Sequence, residues 1–309
     1  MDWNSTYITE LIERALAEDV GTGDTTVAAT IPPNATAQAR ILAKQDLVCA
    51  GLPLAEVIFK TLDPRMIVDL RAKDGQLVKK GEALLHLSGK AAAILTGERT
   101  ALNFLGRLSG IATLTRRFVE QLPGTRAKIR DTRKTTPGLR LLEKYAVKMG
   151  GGTNHRIGLF DAILLKENHI ALAGGAKAAL DQAHAFAAAQ MQPRAMTAYE
   201  AVGITPSFAE AASLPIQIEV RNGAELREAL GAGAASVLLD NMTPEEARHC
   251  VEIARGLRAD CIVEISGGIT LQNAREYAET GADFLSSGAL THSAPSADVS
   301  LLVDSIQEK

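Results

Sequence analysis

The chain has 309 residues, 46% of them apolar, which suffices for a large core and suits two domains or a barrel with an addition. Its formal net charge of −3, from 33 Lys and Arg against 36 Asp and Glu, argues against the broad basic face of a general nucleic-acid binder. Three dispersed cysteines (Cys49, Cys250, Cys261) form no Cys-x-x-Cys pair, so a disulfide framework or zinc site is not expected and a reducing compartment is.

The first segment, "MDWNSTYITELIERALAEDV", is polar and acidic and lacks the apolar stretch of a signal peptide. Within it "YITELIERALAED" has helical spacing, and the Gly/Thr loop "VGTGDTTV" follows. Short strand-like runs come next: "AQARILAK", "LVCAG", "MIVDLRAK" and "EALLHLSG". "DGQLVKKGEALLHL" resembles half of a biotinyl or lipoyl carrier, but no Lys in an upstream hairpin carries the signature, and it reads as turn-rich sheet. "TGERTALNFLGRLSGIATLTRRFVEQL" reads as one or two helices, with apolar residues recurring at Leu102, Leu105, Leu108, Ile111, Leu114 and Phe118. No apolar run reaches the roughly 18 residues of a membrane helix; a cytoplasmic protein is expected.

Beyond this point the chain repeats one form. Strand-like runs end in polar residues, with helical stretches between: "AKIRDTRK", "DAILLKEN", "IQIEVRN", "SVLLDNM", "CIVEISGG" and "DFLSSGA". From Glu219 to Asp240, Ser266 and Ser287 the steps are 21, 26 and 21 residues, close to one βα unit each. Such alternation predicts a parallel α/β sheet. A barrel is preferred to a doubly wound sheet, because polar residues at many successive strand ends converge on one site only in a barrel. Neither G-x-G-x-x-G after a strand nor a Walker A pattern is present.

The chemistry concentrates where the charge is uneven. Residues 130–166 hold eight Lys/Arg and three Asp/Glu, or +5, so the rest of the chain sums to −8. A local pocket for a small, highly charged anion is implied. In "RDTRKTTPGLRLLEKYAVKMGGG", Thr136 reads as N-cap and Pro137 as first residue of a helix closed by the glycines from Gly150. Arg133 and Lys134 then sit at a helix N-terminus, where anions bind well. Arg140, Lys144 and Lys148, at i, i+4 and i+8, read as a solvated stripe. His155 and Arg156 come from a Gly-rich loop between strand ends. Lys166 ends "AILLK", where a cation on an inner rim faces an anion or performs chemistry. Glu219 and Asp240 lie at equivalent points of successive strands and could hold ribose hydroxyls, Mg²⁺ or neighbouring cations. "SGG" (Ser266, Gly267, Gly268) and "SSGA" (Ser287, Gly288, Ala289) suit backbone phosphate binding. Together these imply a ligand with a phosphate, further acidic groups and a sugar.

"DTRKTTPGLRLLEKYAVKMGGGTNHRIGLFDAILLKENHI" closely resembles the quinolinate phosphoribosyltransferase family, the carboxylating nicotinate-nucleotide pyrophosphorylases. "EDVGTGDTT", "GERTALNFLGRLSGIAT", "VLLDNMTPEE", "EISGGIT" and "GALTHSAPSADVSL" resemble it too, so the likeness spans nearly the whole chain. It implies an N-terminal α/β sandwich domain plus an incomplete parallel α/β barrel, type II phosphoribosyltransferase-like. The first would cover residues 1–110 with a C-terminal return over 291–309, and the barrel residues 111–290. The implied reaction joins quinolinate to phosphoribosyl pyrophosphate with Mg²⁺, giving nicotinate mononucleotide, pyrophosphate and CO₂. Lys134, Lys166, Glu219 and Asp240 would be catalytic. Thr132, Arg133, His155 and Arg156 would join them in binding substrate, and Glu219 and Asp240 would serve the metal. The turns 266–268 and 287–289 would take the 5′-phosphate. Arg99 would enter the site from a neighbouring subunit, making a homodimer the smallest active unit.

Two departures stand out: a longer link than expected around residues 187–215, and a strand "QIEVRN" with fewer acidic neighbours than the family usually has. Rival readings are a molybdenum-transport-associated homologue, a Schiff-base aldolase using Lys166, and a nucleotide-binding regulatory module.

Overall fold

Ile8, Ile12 and Leu16, one helical turn apart, form the buried stripe of α1 (Thr6–Val20). The computed structural model describes residues 1–189 and 214–307. Part of the expected Gly/Thr loop is helical: α2 (Thr25–Thr30) starts where the Asp24 carboxylate accepts the Val27 N–H. Then come β1 (Thr36–Ala43), β2 (Leu47–Val48), α3 (Leu52–Leu62), β3 (Ile67–Leu70), β4 (Leu77–Val78) and β5 (Ala83–Lys90). "LVCAG" is strand only over its first two residues, and the helix after it was not foreseen. Its N-terminal cap comes from elsewhere in the chain, as the Asp74 carboxylate accepts the N–H groups of Gly51 and Leu52 at 2.8 and 3.1 Å.

The long apolar-periodic stretch is one helix, α4 (Ala91–Val119), 29 residues long and continuous through residue 110. Leu102, Leu105, Leu108, Ile111 and Phe118 are all buried on it.

The second half alternates strand and helix: β6 (Lys128–Arg130), α5 (Arg140–Met149), β7 (Ile163–Leu165), α6 (Glu167–Ala173), α7 (Ala176–Ala189) and β8 (Ile216–Val220). It continues with α8 (Gly223–Gly231), β9 (Ser236–Asp240), α9 (Pro244–Leu257), β10 (Ile262–Ser266), α10 (Ala274–Ala278), β11 (Phe284–Ser286) and α11 (Ala289–His292). The six strands form one parallel sheet in the order β6-β11-β10-β9-β8-β7. Strands β6 and β7 are consecutive in the chain yet stand at opposite ends of that order. Among the described residues no ladder joins them, so the ring is an incomplete barrel with its seam there. Thr153, on the way from α5 to β7, makes a single parallel bridge to Arg130 beside that seam.

Strand β12 (Val299–Gln307) returns to pair antiparallel with β1, giving the sheet β12-β1-β5-β3. The returning chain crosses α4 at Gly106 and Gly110. Ala297 N–H donates to the Gly106 carbonyl at 2.8 Å, and a Cβ on Gly110 would lie 2.0 Å from the Pro295 carbonyl oxygen. Only glycine admits so close an approach.

Helix α5 corrects one expectation. It begins at Arg140 with Leu139 at the N-cap, three residues beyond Pro137. Thr136 is instead bound by the helix: its N–H and hydroxyl donate to Glu143 at 3.1 and 2.8 Å. The C-cap at Gly150 is as expected. Most of the long link around 187–215 lies outside the described residues.

Candidate active site

The C-terminal ends of the barrel strands surround a cleft of about 410 Å³. In a strand, alternate side chains share a face, so Leu164 and Lys166, Leu238 and Asp240, and Glu264 and Ser266 point inward in pairs, and all line the cleft. The loop after β6 adds Thr132, Arg133 and Lys134; the segment after α5 adds His155 and Arg156; Glu219 comes from β8. Gly267 and Gly268 after β10, and Ser287, Gly288 and Ala289 around the end of β11, complete the wall. Of the residues expected at the site, only Arg99 is absent from it: it is exposed on α4.

Glu219 and Asp240 do not lie at equivalent points. The ladder pairs Glu219 with Leu238, and Asp240 with Ser266. Glu219 therefore sits one inward-facing row deeper, on the level where Lys166 can reach it, and its carboxylate meets Lys166 Nζ at 2.5 Å. Asp240 is held at the rim by Asn241, whose Nδ2 donates to it at 2.8 Å. Asn241 adopts a left-handed backbone (φ 54°), the one non-glycine residue with positive φ among those described. Gly267 faces it so closely that a Cβ there would lie 2.2 Å from the Asn241 Oδ1.

The cationic wall is partly dry. His155 and Arg156 are each 7% exposed. Burial drives the His155 imidazole below its ordinary value of 6.5, despite the pull of Glu264, so the ring is neutral near pH 7. Arg156 N–H donates to His155 Nδ1 at 2.7 Å, which leaves the ring proton on Nε2. Burial and the like charge of Arg133 both depress the Arg156 guanidinium. The Arg133 Nε is buried and has no hydrogen-bond partner among the described residues. Two neighbouring guanidinium groups, one with an unused donor, have the charge and the donors to take a small polyanion.

Several residues that shape this site were not anticipated. Lys144 is no part of a solvated stripe: it is fully buried, with Nζ 2.5 Å from Asp131, itself fully buried. Glu264, also at 0% exposure, forms the floor, taking hydrogen bonds from Arg130 (2.8 Å), Gln217 (3.1 Å) and the Ser286 hydroxyl. Burial alone would raise its pKa, but the adjacent His155 and Arg130 hold it below the usual carboxylate value. The signal for Glu264 was available: it stands two residues before Ser266 and so shares its face. His292 also lines the cleft, from a short helix that carries no comparable signal.

Mg²⁺ prefers oxygen donors and commonly binds one or two carboxylates plus substrate phosphates. Glu219 and Asp240 fit such shared binding. Among the described residues no cluster of three or more His, Cys, Asp or Glu could hold a metal unaided.

Residues 24–109 match the quinolinate phosphoribosyl transferase N-terminal domain, and residues 111–202 and 194–302 match its C-terminal domain. The chain belongs to the quinolinate phosphoribosyl transferase family. Within that family it is 40% identical over 298 residues to the probable nicotinate-nucleotide pyrophosphorylase [carboxylating] of Bacillus subtilis, covering 96% of this chain and 94% of that one. It is 37% identical to quinolinate phosphoribosyltransferase [decarboxylating] 1b of Nicotiana tabacum, over 95% and 81% of the two chains. The crystal structure of NadC from Streptococcus pyogenes superposes with a TM-score of 0.85 at 35% identity, covering 99% of both chains. The two stretches that match the family's C-terminal domain overlap at 194–202, inside the long link singled out in the sequence.

Proposed function

We infer that the protein transfers a phosphoribosyl group from phosphoribosyl pyrophosphate to quinolinate with loss of CO₂, forming nicotinate mononucleotide and pyrophosphate in de novo NAD synthesis. The observation that carries this reading is the convergence of Arg133, Arg156, Lys134 and Lys166 on one cleft with Glu219 and Asp240. A dicarboxylate and a pyrophosphorylated sugar need that combination of fixed cations and sugar-binding carboxylates.

Arg133, His155 and Arg156 bind the quinolinate carboxylates, with Thr132 beside them. The His155 Nε2–H is a neutral donor for a carboxylate oxygen. Glycines 267 and 268 and residues 287–289 take the 5′-phosphate through the backbone. Glu219 and Asp240 hold the ribose, and their negative charge favours the positive charge that develops at C1′ as the pyridine nitrogen attacks. The bond from C1′ to pyrophosphate oxygen breaks as the new C–N bond forms, and Lys134 and Lys166 receive the growing charge on the leaving group. Mg²⁺ carried in with the pyrophosphate, and shared with Glu219 and Asp240, would neutralise the same charge. Ribosylation turns the ring into a pyridinium, whose positive nitrogen stabilises the electron pair left on the adjacent ring carbon when its carboxylate departs as CO₂; a proton from water then bonds to that carbon and completes nicotinate mononucleotide. The Lys166–Glu219 ion pair favours this role over a Schiff-base lysine, which must be neutral to attack a carbonyl.

Arg99 is proposed to complete the site of a second copy in a homodimer; its exposure on α4, away from its own cleft, supports this. A cytoplasmic location accords with the three buried free thiols, and no described helix is long and apolar enough to cross a membrane.

The deciding experiment mixes purified protein with quinolinate, phosphoribosyl pyrophosphate and Mg²⁺, with nicotinate as control. Equal amounts of nicotinate mononucleotide and CO₂ from quinolinate alone are expected. Turnover of nicotinate without CO₂ would reassign the enzyme to a sister phosphoribosyltransferase, and binding without turnover would leave a regulatory module.

A further inference from the structure

Behind the wall of the cleft lies an ion pair that no step of this reaction consumes. Lys144 and Asp131 are both fully buried, and each also reaches the same residue of the wall. Asp131 Oδ1 accepts the His155 N–H at 2.8 Å, and Lys144 Nζ donates to the His155 carbonyl at 2.9 Å. The backbone of His155 is thus gripped at both its polar atoms. Asn154 ties in from one residue before, its Nδ2 donating to Asp131 Oδ2 at 2.6 Å and to the Lys144 carbonyl at 2.9 Å.

A buried ion pair is a poor way to add stability, because desolvation cancels much of the attraction. Bonds aimed at two consecutive residues do fix geometry. What they fix here is the turn from which the cleft's neutral donor and one of its guanidinium groups emerge. With the His155 backbone held, the next N–H, that of Arg156, meets His155 Nδ1, and Nε2 faces Glu264 Oε1 at 3.5 Å. The Arg156 guanidinium is then held against the Ala162 carbonyl at 3.1 Å.

We propose that Lys144 and Asp131 are positioning residues for the dicarboxylate: their pair clamps the His155 backbone and thereby sets the imidazole tautomer and the aim of Arg156. The proposal rests on the reading of the cleft as a quinolinate site. It predicts selectivity between substrates, because the groups assigned to the ribose and 5′-phosphate lie at the ends of β8 to β11, whereas the side-chain bonds of Lys144 and Asp131 described above end on each other and on Asn154 and His155.

The test compares wild type with Lys144→Met and with the apolar double variant Asp131→Leu/Lys144→Met. Readouts are kcat, KM for each substrate, the thermal midpoint and the ¹⁵N resonances of the His155 ring. In both variants the quinolinate KM rises about tenfold or more, as expected for loss of a charge-assisted hydrogen bond that positions a ligand. The KM for phosphoribosyl pyrophosphate stays within about twofold. The midpoint drops in Lys144→Met, where Asp131 keeps its bonds from Asn154 and His155 but is left buried without its cation, and recovers in part in the double variant, which removes the buried charge. The quinolinate KM does not recover with it, and the His155 ring becomes a tautomer mixture. Recovery of the KM together with the midpoint, an equal rise in both KM values, or an unchanged Nε2–H tautomer would each overturn the clamp. Should wild type fail to use quinolinate, the functional reading falls by itself, and the His155 resonances in the variants still decide the clamp.

Discussion

His155 shows how a single side chain links stability to pH. Its imidazole is kept neutral by burial, below its ordinary value of 6.5. The unfolded chain takes up a proton that the native state refuses, so the contribution to stability is complete above about pH 6.5 and is lost as the pH falls toward the native pKa. The thermal midpoint of the wild type should fall between about pH 7.5 and pH 5, and that of His155→Gln should fall less steeply; equal slopes would show that another group controls the transition. Arg133→Ala and Lys166→Ala should each lower kcat/KM by about two to three orders of magnitude, and near-wild-type activity in either would remove that residue from the site. Asn241, strained into the left-handed region to hold Asp240, makes a milder prediction. Asn241→Ala should cost about 1 kcal/mol in chemical denaturation and raise the KM for the sugar substrate more than that for quinolinate. At this scale the sequence told most about residues at strand ends, because chain position alone brings them to the rim. It told little about Lys144, since three cations at i, i+4 and i+8 look solvated until Asp131, 13 residues earlier, is seen behind one of them.

At the scale of elements, the short strands of the barrel were legible because each is an apolar run closed by a polar residue. The start of α5 was misjudged because Thr-Pro is a strong local signal, and here a side chain from within the helix, Glu143, overrides it. Glu143 is itself fully buried against Arg107 of α4 at 2.7 Å, and Arg107 in turn donates to the carbonyls of Thr291 and Ala294. No local pattern announces such a hub. Three consecutive residues of α5 thus face three different parts of the molecule: Glu143 the Thr136 loop, Lys144 the His155 turn, and Tyr145, through a 2.7 Å bond to Asp74, the cap of α3. The crossing at Gly110 gives a test at this level. Gly110→Ala should destabilise by about 2–3 kcal/mol through steric displacement of the Pro295 segment. Gly231→Ala, whose Cβ would meet nothing within 4 Å, should be neutral or stabilising by about 0.5 kcal/mol. Similar denaturation midpoints for the two would mean that the return of β12 is not held by close packing on α4.

For the molecule as a whole, the incomplete barrel and its attached sheet could be anticipated from the alternation of elements and from the resemblance. The seam between β6 and β7 could not, because it depends on which strands pair rather than on what any strand contains. The proposed homodimer is testable by mixing. Arg99→Ala and Lys166→Ala should each be nearly inactive alone, while an equilibrated mixture should recover up to about a quarter of wild-type activity, since half the dimers would hold one intact site. A mixture as inactive as its components would confine each site to one chain.

Helix α4, finally, is about 43 Å long at 1.5 Å per residue, and it belongs to both halves of the molecule. It packs beneath the sheet at its start and against the barrel at its end, with the chain's own tail laid across its middle. Among the described residues such an axle offers no hinge between the halves. The walls of the cleft are therefore expected to be set before substrate arrives, with any closure coming from loops at the strand ends rather than from a jaw between the two halves.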